Sequence, residues 1–279
     1  MTERSQIKLK NKQMKTIKLS IVAAAALILG LASCKKEETT TTVSTDKGVV
    51  SVELSHKFGM MNEQTLAIGT PVIHPMKGDT LTFSKFKYFI SNVKFKKADG
   101  TYWTEAESYH LVDLANAESL KLSFKDLPAG TYTQMEYTMG VDSTRNVSGA
   151  QTGALAKTND MYWSWNSGYI MLKAEGMYKD NKADKMFAFH LGGFSGENNI
   201  VTKRTMVFDG ANVLTIAKDK TSTIAVEVNP GLLWHSAPSV KTVNMIHMPG
   251  ADAKLMALGD SGMGFFANPM YAFKVISVK

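Results

Sequence analysis

Cysteine is nearly missing from this chain. Cys34 is the single one in 279 residues, so no intrachain disulfide can form and no set of paired zinc-site cysteines exists. Long apolar stretches are missing too. The run from Ile21 to Ala32 is too short to cross and stay in a bilayer, which takes about 20 residues. There is no Ser-His-Asp arrangement, no glycine-rich phosphate loop and no His-Glu-x-x-His. No general acid–base pair stands out either, so the expectation is a binding protein and not an enzyme.

What is present begins with an export pattern. Lys15 and Lys18 precede the apolar run, which closes on Leu31-Ala32-Ser33-Cys34. A basic region, a short hydrophobic region and small residues at the end describe a secretory leader. The Leu-Ala-Ser-Cys segment resembles a bacterial lipobox. That resemblance implies a leader over 1–33, cleavage before Cys34, and a lipid on that cysteine as the membrane anchor. Lys35-Lys36-Glu37-Glu38 and Thr39 to Thr42 follow. This polar, low-complexity stretch reads as a flexible tether over 34–47. Lys36-Glu37-Glu38 also resembles the surface-export tag of Bacteroidetes lipoproteins. The implied location is the outer membrane, on its periplasmic or its surface face.

The leader changes the charge balance. Residues 1–33 hold six basic residues against Glu3, so +5 of the formal +7 leaves with them and +2 remains. A mature chain so nearly neutral gives no basis for nucleic-acid binding.

From 48 to 279 short alternating runs dominate. Val50, Val52, Leu54, His56 and Phe58 share one face of a first strand. Asp99-Gly100 between Val93–Lys97 and Tyr102–Thr104 is a hairpin signal. Ser119–Phe124 and Tyr132–Val141 flank a turn at Asp126–Gly130. Gly168–Ala174, Lys185–Leu191, Val201–Phe208, Asn212–Ile216, Thr223–Val228 and Tyr271–Val278 read as further strands. Ala251–Leu258 is the best short helix. The pattern predicts an all-β chain, a β-sandwich in one domain with short helical segments in its loops.

Imidazole and thioether are the plentiful donors. Fifteen of the 17 methionines lie beyond the leader, and the two donor types together suit copper. His56 sits on an apolar face, either as a core histidine with one hydrogen bond or as a ligand. His190 stands at a strand end before Gly192-Gly193. His247 lies between Met245 and Met248, where both thioethers could approach the same ion or pack the loop down. Asp142, Asn146 and Asp160 could hold a hard cation, but turn chemistry explains them better. The densest feature is Met161-Tyr162-Trp163-Ser164-Trp165-Asn166-Ser167-Gly168-Tyr169. In extended chain Trp163 and Trp165 point the same way.

Ser55-His56-Lys57-Phe58, Gly140-Val141-Asp142-Ser143, Asn146, the Trp163–Trp165 block and Phe189-His190-Leu191-Gly192-Gly193 occur in that order. Together they resemble the copper-binding MbnP-like family of bacterial lipoproteins and periplasmic proteins, over roughly residues 48 to 230. The resemblance implies a β-sandwich holding one copper ion through histidines, carried here onto His56 and His190. It also implies a nearby tryptophan, Trp163 or Trp165, that is oxidised to kynurenine by a partner diheme peroxidase. The expected metal residues are therefore His56, His190 and His247. A second reading, from another class, is a surface glycan-binding or adhesive module using Trp163, Trp165 and Tyr169 as a flat platform.

Overall fold

In a computed structural model, residues 45–59, 64–148, 151–163, 168–181 and 183–279 are described. The fold is all-β with short helical pieces. The strands are β1 (Lys47–Phe58), β2 (Gln64–Thr65), β3 (Pro71–Ile73), β4 (Thr80–Lys97), β5 (Tyr102–Thr104) and β6 (Tyr109–Asp113). Then come β7 (Lys121–Pro128), β8 (Gly130–Met139), β9 (Tyr162–Trp163), β10 (Gly168–Asp180) and β11 (Ala183–Gly192). The last are β12 (Thr202–Val207), β13 (Leu214–Ile216), β14 (Thr221–Val228), β15 (Met245–Ile246) and β16 (Phe273–Val278). Among the described residues two α-helices, α1 (Ser143–Val147) and α2 (Ala251–Leu258), and several short 3-10 turns accompany them.

Two sheets share these strands. The smaller runs β16-β14-β1-β2 with β7 on the other side of β1. The larger runs β12-β8-β4-β10-β11-β15, and short strands fill out its edges. β1 lies parallel to β14, with Val52 opposite Ile224 and His56 opposite Val228. Such parallel pairing needs a long crossover, which here is most of the chain.

The spine of the larger sheet is β4, 18 residues long. Its register against β10 shifts between Phe83 and Lys85, which keeps Phe83 buried. From Lys85 on the strand alternates, with Phe86 and Tyr88 buried and Lys85 and Lys87 turned outward. Asn92, at φ 53°, then breaks the pleat, and the register against β8 shifts between Ser91 and Lys94. A left-handed residue in a strand is the backbone of a bulge, which re-aims the side chains beyond it.

Phe83, Phe86, Phe187 and Phe189 of the larger sheet join Val50, Val52, Leu54 and Phe58 of β1 in the core between the sheets. Trp234 plugs one end, its ring against Phe58, Phe83, Phe187 and Phe189. Each fully buried aromatic contributes on the order of 1.5–3 kcal/mol. No helix among the described residues is long and apolar enough to cross a membrane.

Candidate metal centre

The centre is built by the register of three neighbouring strands. Across β10 and β11, Lys173 faces His190, Glu175 faces Ala188 and Met177 faces Met186. On β11 the buried residues are Phe187, Phe189 and Leu191, which face the core. Alternation therefore turns Met186, Ala188 and His190 to the outer face. β15 adds in parallel with Met245 beside Ala188 and Ile246 beside Phe189. Ile246 is buried, so Met245 and the next residue but one, His247, turn outward with His190.

The two imidazoles meet there. Nδ1 of His247 lies 3.1 Å from Nδ1 of His190, and the rings stand at 87° with centroids 4.5 Å apart. Nε2 of His190 is 2.8 Å from Oε1 of Glu175. An ionised carboxylate only accepts, so this Nε2 carries the proton. The neutral ring then presents Nδ1 as a lone pair aimed at His247. Burial lowers the His190 pKa, the Glu175 hydrogen bond raises it in part, and the Lys173 and His247 charges lower it again. The net position is below the ordinary histidine value. Burial pushes Glu175 up, but hydrogen bonds from His190 and Lys85 outweigh it and hold the carboxyl below its usual range.

A run of alternating charges supports the pair. Lys85 bridges Glu175 at 3.1 Å and Asp160 at 3.2 Å, and Lys173 reaches Asp160 at 2.8 Å. The Lys173 side chain is only 3% exposed, so its charge must be matched, and Asp160 does this. Asp160 holds a left-handed conformation, φ 60°, where it caps the short turn Lys157–Asn159. Burial raises its pKa, but the two lysines prevail and keep it below the usual carboxylate range.

Trp163 lines the same hollow as Asp160, Lys173, His190 and His247. β9 pairs with the start of β10, placing Trp163 opposite Gly168 and Tyr162 opposite Tyr169. The indole, 5% exposed, lies on Gly192. A Cβ built on that glycine would stand 2.3 and 2.4 Å from two carbons of the six-membered ring. Gly192 thus supplies room, while its neighbour Gly193, at φ 120°, supplies backbone freedom. Behind the hairpin, buried Asn146 accepts from the Tyr169 amide at 2.9 Å and donates to the Val141 and Asp142 carbonyls. Asp142 caps α1 and accepts from Tyr109 and Asn92. Asn146 and Asp142 are engaged in loop hydrogen bonds, as turn chemistry predicts.

His56 is not part of this centre, contrary to the expected convergence with His190. Its ring is buried in the core, edge-on to Phe86 and Tyr88, with Nε2 3.1 Å from the Tyr88 hydroxyl. Phe86 and Tyr88 occupy the core face of β4, whereas Lys85, which reaches Glu175, occupies the outer one. The sheet itself therefore separates His56 from His190. Burial pushes the His56 pKa down to about 4. The structure instead brings His247 to His190. Trp165 and Cys34 lie outside the described residues. No group of three or more His, Cys, Asp or Glu placed to hold a metal occurs among the described residues, which leaves two imidazoles as the donor set.

Trp163 and Tyr169 are both buried, so these two rings offer no flat face to a sugar. Sequence reasoning missed Glu175, Lys173 and Lys85. Their one visible trace is charge at alternate positions of otherwise apolar strands, Lys85 and Lys87 on one, Lys173 and Glu175 on the next.

The family model described as MbnP matches residues 47–248. Among solved structures, MbnP from Methylosinus trichosporium is similar, with a TM-score of 0.50 at 14% identity over 82% of this chain and 98% of that one. Identity that low speaks for the fold alone. No curated protein matches.

Proposed function

The chain belongs to the MbnP family, and on that premise we propose that it is a lipid-anchored protein that captures or hands on copper at His190 and His247. The observation that carries this is the pair of Nδ1 atoms 3.1 Å apart beside a buried tryptophan. Metal–imidazole bonds run about 2.0–2.1 Å in zinc sites, so one ion can join nitrogens up to about 4 Å apart. The two nitrogens meet that distance, and His247, whose Nδ1 donates the present hydrogen bond, ligates as its other tautomer. Bound copper would supply Lewis acidity and a one-electron couple. The chain's own part is to hold two imidazoles at one spot, to fix the His190 tautomer through Glu175, and to keep Trp163 against the hollow.

Trp163 or Trp165 is the proposed site of oxidation to kynurenine, whose aniline nitrogen and carbonyl add donors that indole lacks. The oxidising equivalents come from outside the chain, with a diheme peroxidase as the proposed partner. No catalytic role is assigned to the protein itself. Cys34 is the proposed anchor to the outer membrane. Replacing it with serine should move the protein from the membrane fraction to the soluble one, and retention after a carbonate wash would exclude the anchor.

The test of the centre is metal content and intact mass of mature protein from its own host, followed by copper titration of the chelator-stripped form. One equivalent of copper(II) per chain is expected in the titration, lost in the double variant His190→Ala, His247→Ala and kept in His56→Gln. Equal copper uptake by the double variant would overturn the assignment. Zinc competes for the same imidazoles and serves as the reference ion.

A further inference from the structure

Three methionines stand beside this centre without covering any core. Met177, Met186 and Met245 are 38%, 63% and 53% exposed. Met177 faces Met186 across β10 and β11, and Met245 sits beside Ala188 on β15. All three belong to the outer face that carries His190 and His247. Ala188 is the centre of the arrangement, with Met186 and His190 two residues away on its own strand. Glu175 and Met245 flank it on the neighbouring strands.

Directly opposed Cβ atoms lie about 4.5–5.5 Å apart, and diagonal neighbours about 7–8 Å, within reach of long side chains. Met177 and Met186 are of the first kind, Met186 and Met245 of the second. The alanine between them has a single methyl, so nothing rises from the middle of the group. Strands prefer β-branched or aromatic residues, and packing does not call for flexible thioethers on an exposed face. Thioether sulfur selects copper(I) over harder ions.

We propose that Met177, Met186 and Met245 form a second, thioether site for a soft monovalent ion, with Met245 one same-face row and Met177 and Met186 two rows of the sheet away from His190 and His247. Copper(I) is the natural occupant, and its path to or from the imidazoles runs over Ala188. The proposal rests on the copper reading for the identity of the ion; the site itself follows from strand register.

The test uses silver(I) as the probe and mature protein carrying isotope-labelled methionine methyl groups. The methyl signals of Met177, Met186 and Met245 should shift together and saturate along one curve. The variant Met177→Leu, Met186→Leu, Met245→Leu changes only exposed positions and should lose one equivalent of silver(I) while keeping the copper bound at the histidines. Ala188→Leu, with all three methionines kept, should reduce the joint shift. Conversely, His190→Ala, His247→Ala should leave the methionine shifts in place. Thus loss of copper uptake at the histidines with the methionine shifts intact, or the reverse, tells the two readings apart. Methyl signals that stay still, that saturate separately, or a triple variant with undiminished silver(I) uptake would overturn the thioether site.

Discussion

At the scale of single residues, Glu175 and His56 show how one side chain decides what a histidine can do. Glu175 accepts from Nε2 of His190 and so leaves Nδ1 free as a ligand. A carboxamide in its place could donate as well as accept, and the ring would lose its fixed tautomer. Glu175→Gln is expected to weaken copper binding about 10–100-fold, the usual cost of losing a partner of a ligating histidine. A competition titration with a chelator reads this, and unchanged affinity would mean that Glu175 has no part in the centre. His56 is the opposite case, a histidine kept neutral. Its pKa falls from 6.5 in the open chain to about 4 in the fold. Between those values the unfolded chain binds more protons, so stability rises with pH and is lost as pH drops from 6.5 toward 4. The full loss is roughly 3 kcal/mol. Urea unfolding of wild type and His56→Gln at pH 7 and pH 4.5 should show the smaller pH effect in the variant. Equal slopes would show that other groups dominate the acid response.

At the scale of elements, β9, β10 and β11 make one device that depends on a missing side chain. The Trp163 ring fills the place where a residue-192 Cβ would stand. Gly192→Ala should therefore displace the indole, at a cost of about 1–3 kcal/mol for overpacking. Chemical denaturation with tryptophan emission recorded alongside would detect both changes. An unshifted midpoint would mean that the hairpin relaxes freely. Much of this level was legible in the sequence. The apolar alternation of β1, the Asp99-Gly100 hairpin and the helix over Ala251–Leu258 all stand where residue pattern places them. These elements are set by local chemistry, namely period and turn residues. The turn expected over Asp126–Gly130 is not one: β7 runs on to Pro128 and β8 starts at Gly130, with only Ala129 between them, and the two strands do not form a hairpin. β7 pairs with β1 and β8 with β4, so the chain crosses there from one sheet to the other. Partner choice is a long-range matter that no local pattern records. The same limit hid the pairing of His190 with His247, 57 residues apart, because it depends on which short segment docks against β11.

At the scale of the whole molecule, the tail beyond the family match is structural. The match ends at residue 248, but β16 pairs with β14 along Ile224 to Val228. Arg204 of β12 holds the carbonyls of Ala267 and Asn268, and Thr202 donates to the Phe266 carbonyl at 2.7 Å. Phe265 and Phe273 lie edge-on or tilted against each other and against Tyr88, the partner of His56. The resemblance carried by the sequence motifs stops near residue 230, since aromatic packing on a distant strand leaves no spacing rule to follow. A chain ending at Met248 would uncover that side of the core and turn β14 into an open edge, which invites association between molecules. It is expected to lose its cooperative unfolding transition and to aggregate, as judged by circular dichroism against urea and by light scattering. The milder variant Arg204→Ala removes charged hydrogen bonds to two carbonyls and the interaction with Tyr137, and should cost about 1.5–3 kcal/mol or more while leaving copper stoichiometry intact. If the truncated chain instead melts at the full-length midpoint, the tail is an appendage and the core is closed without it.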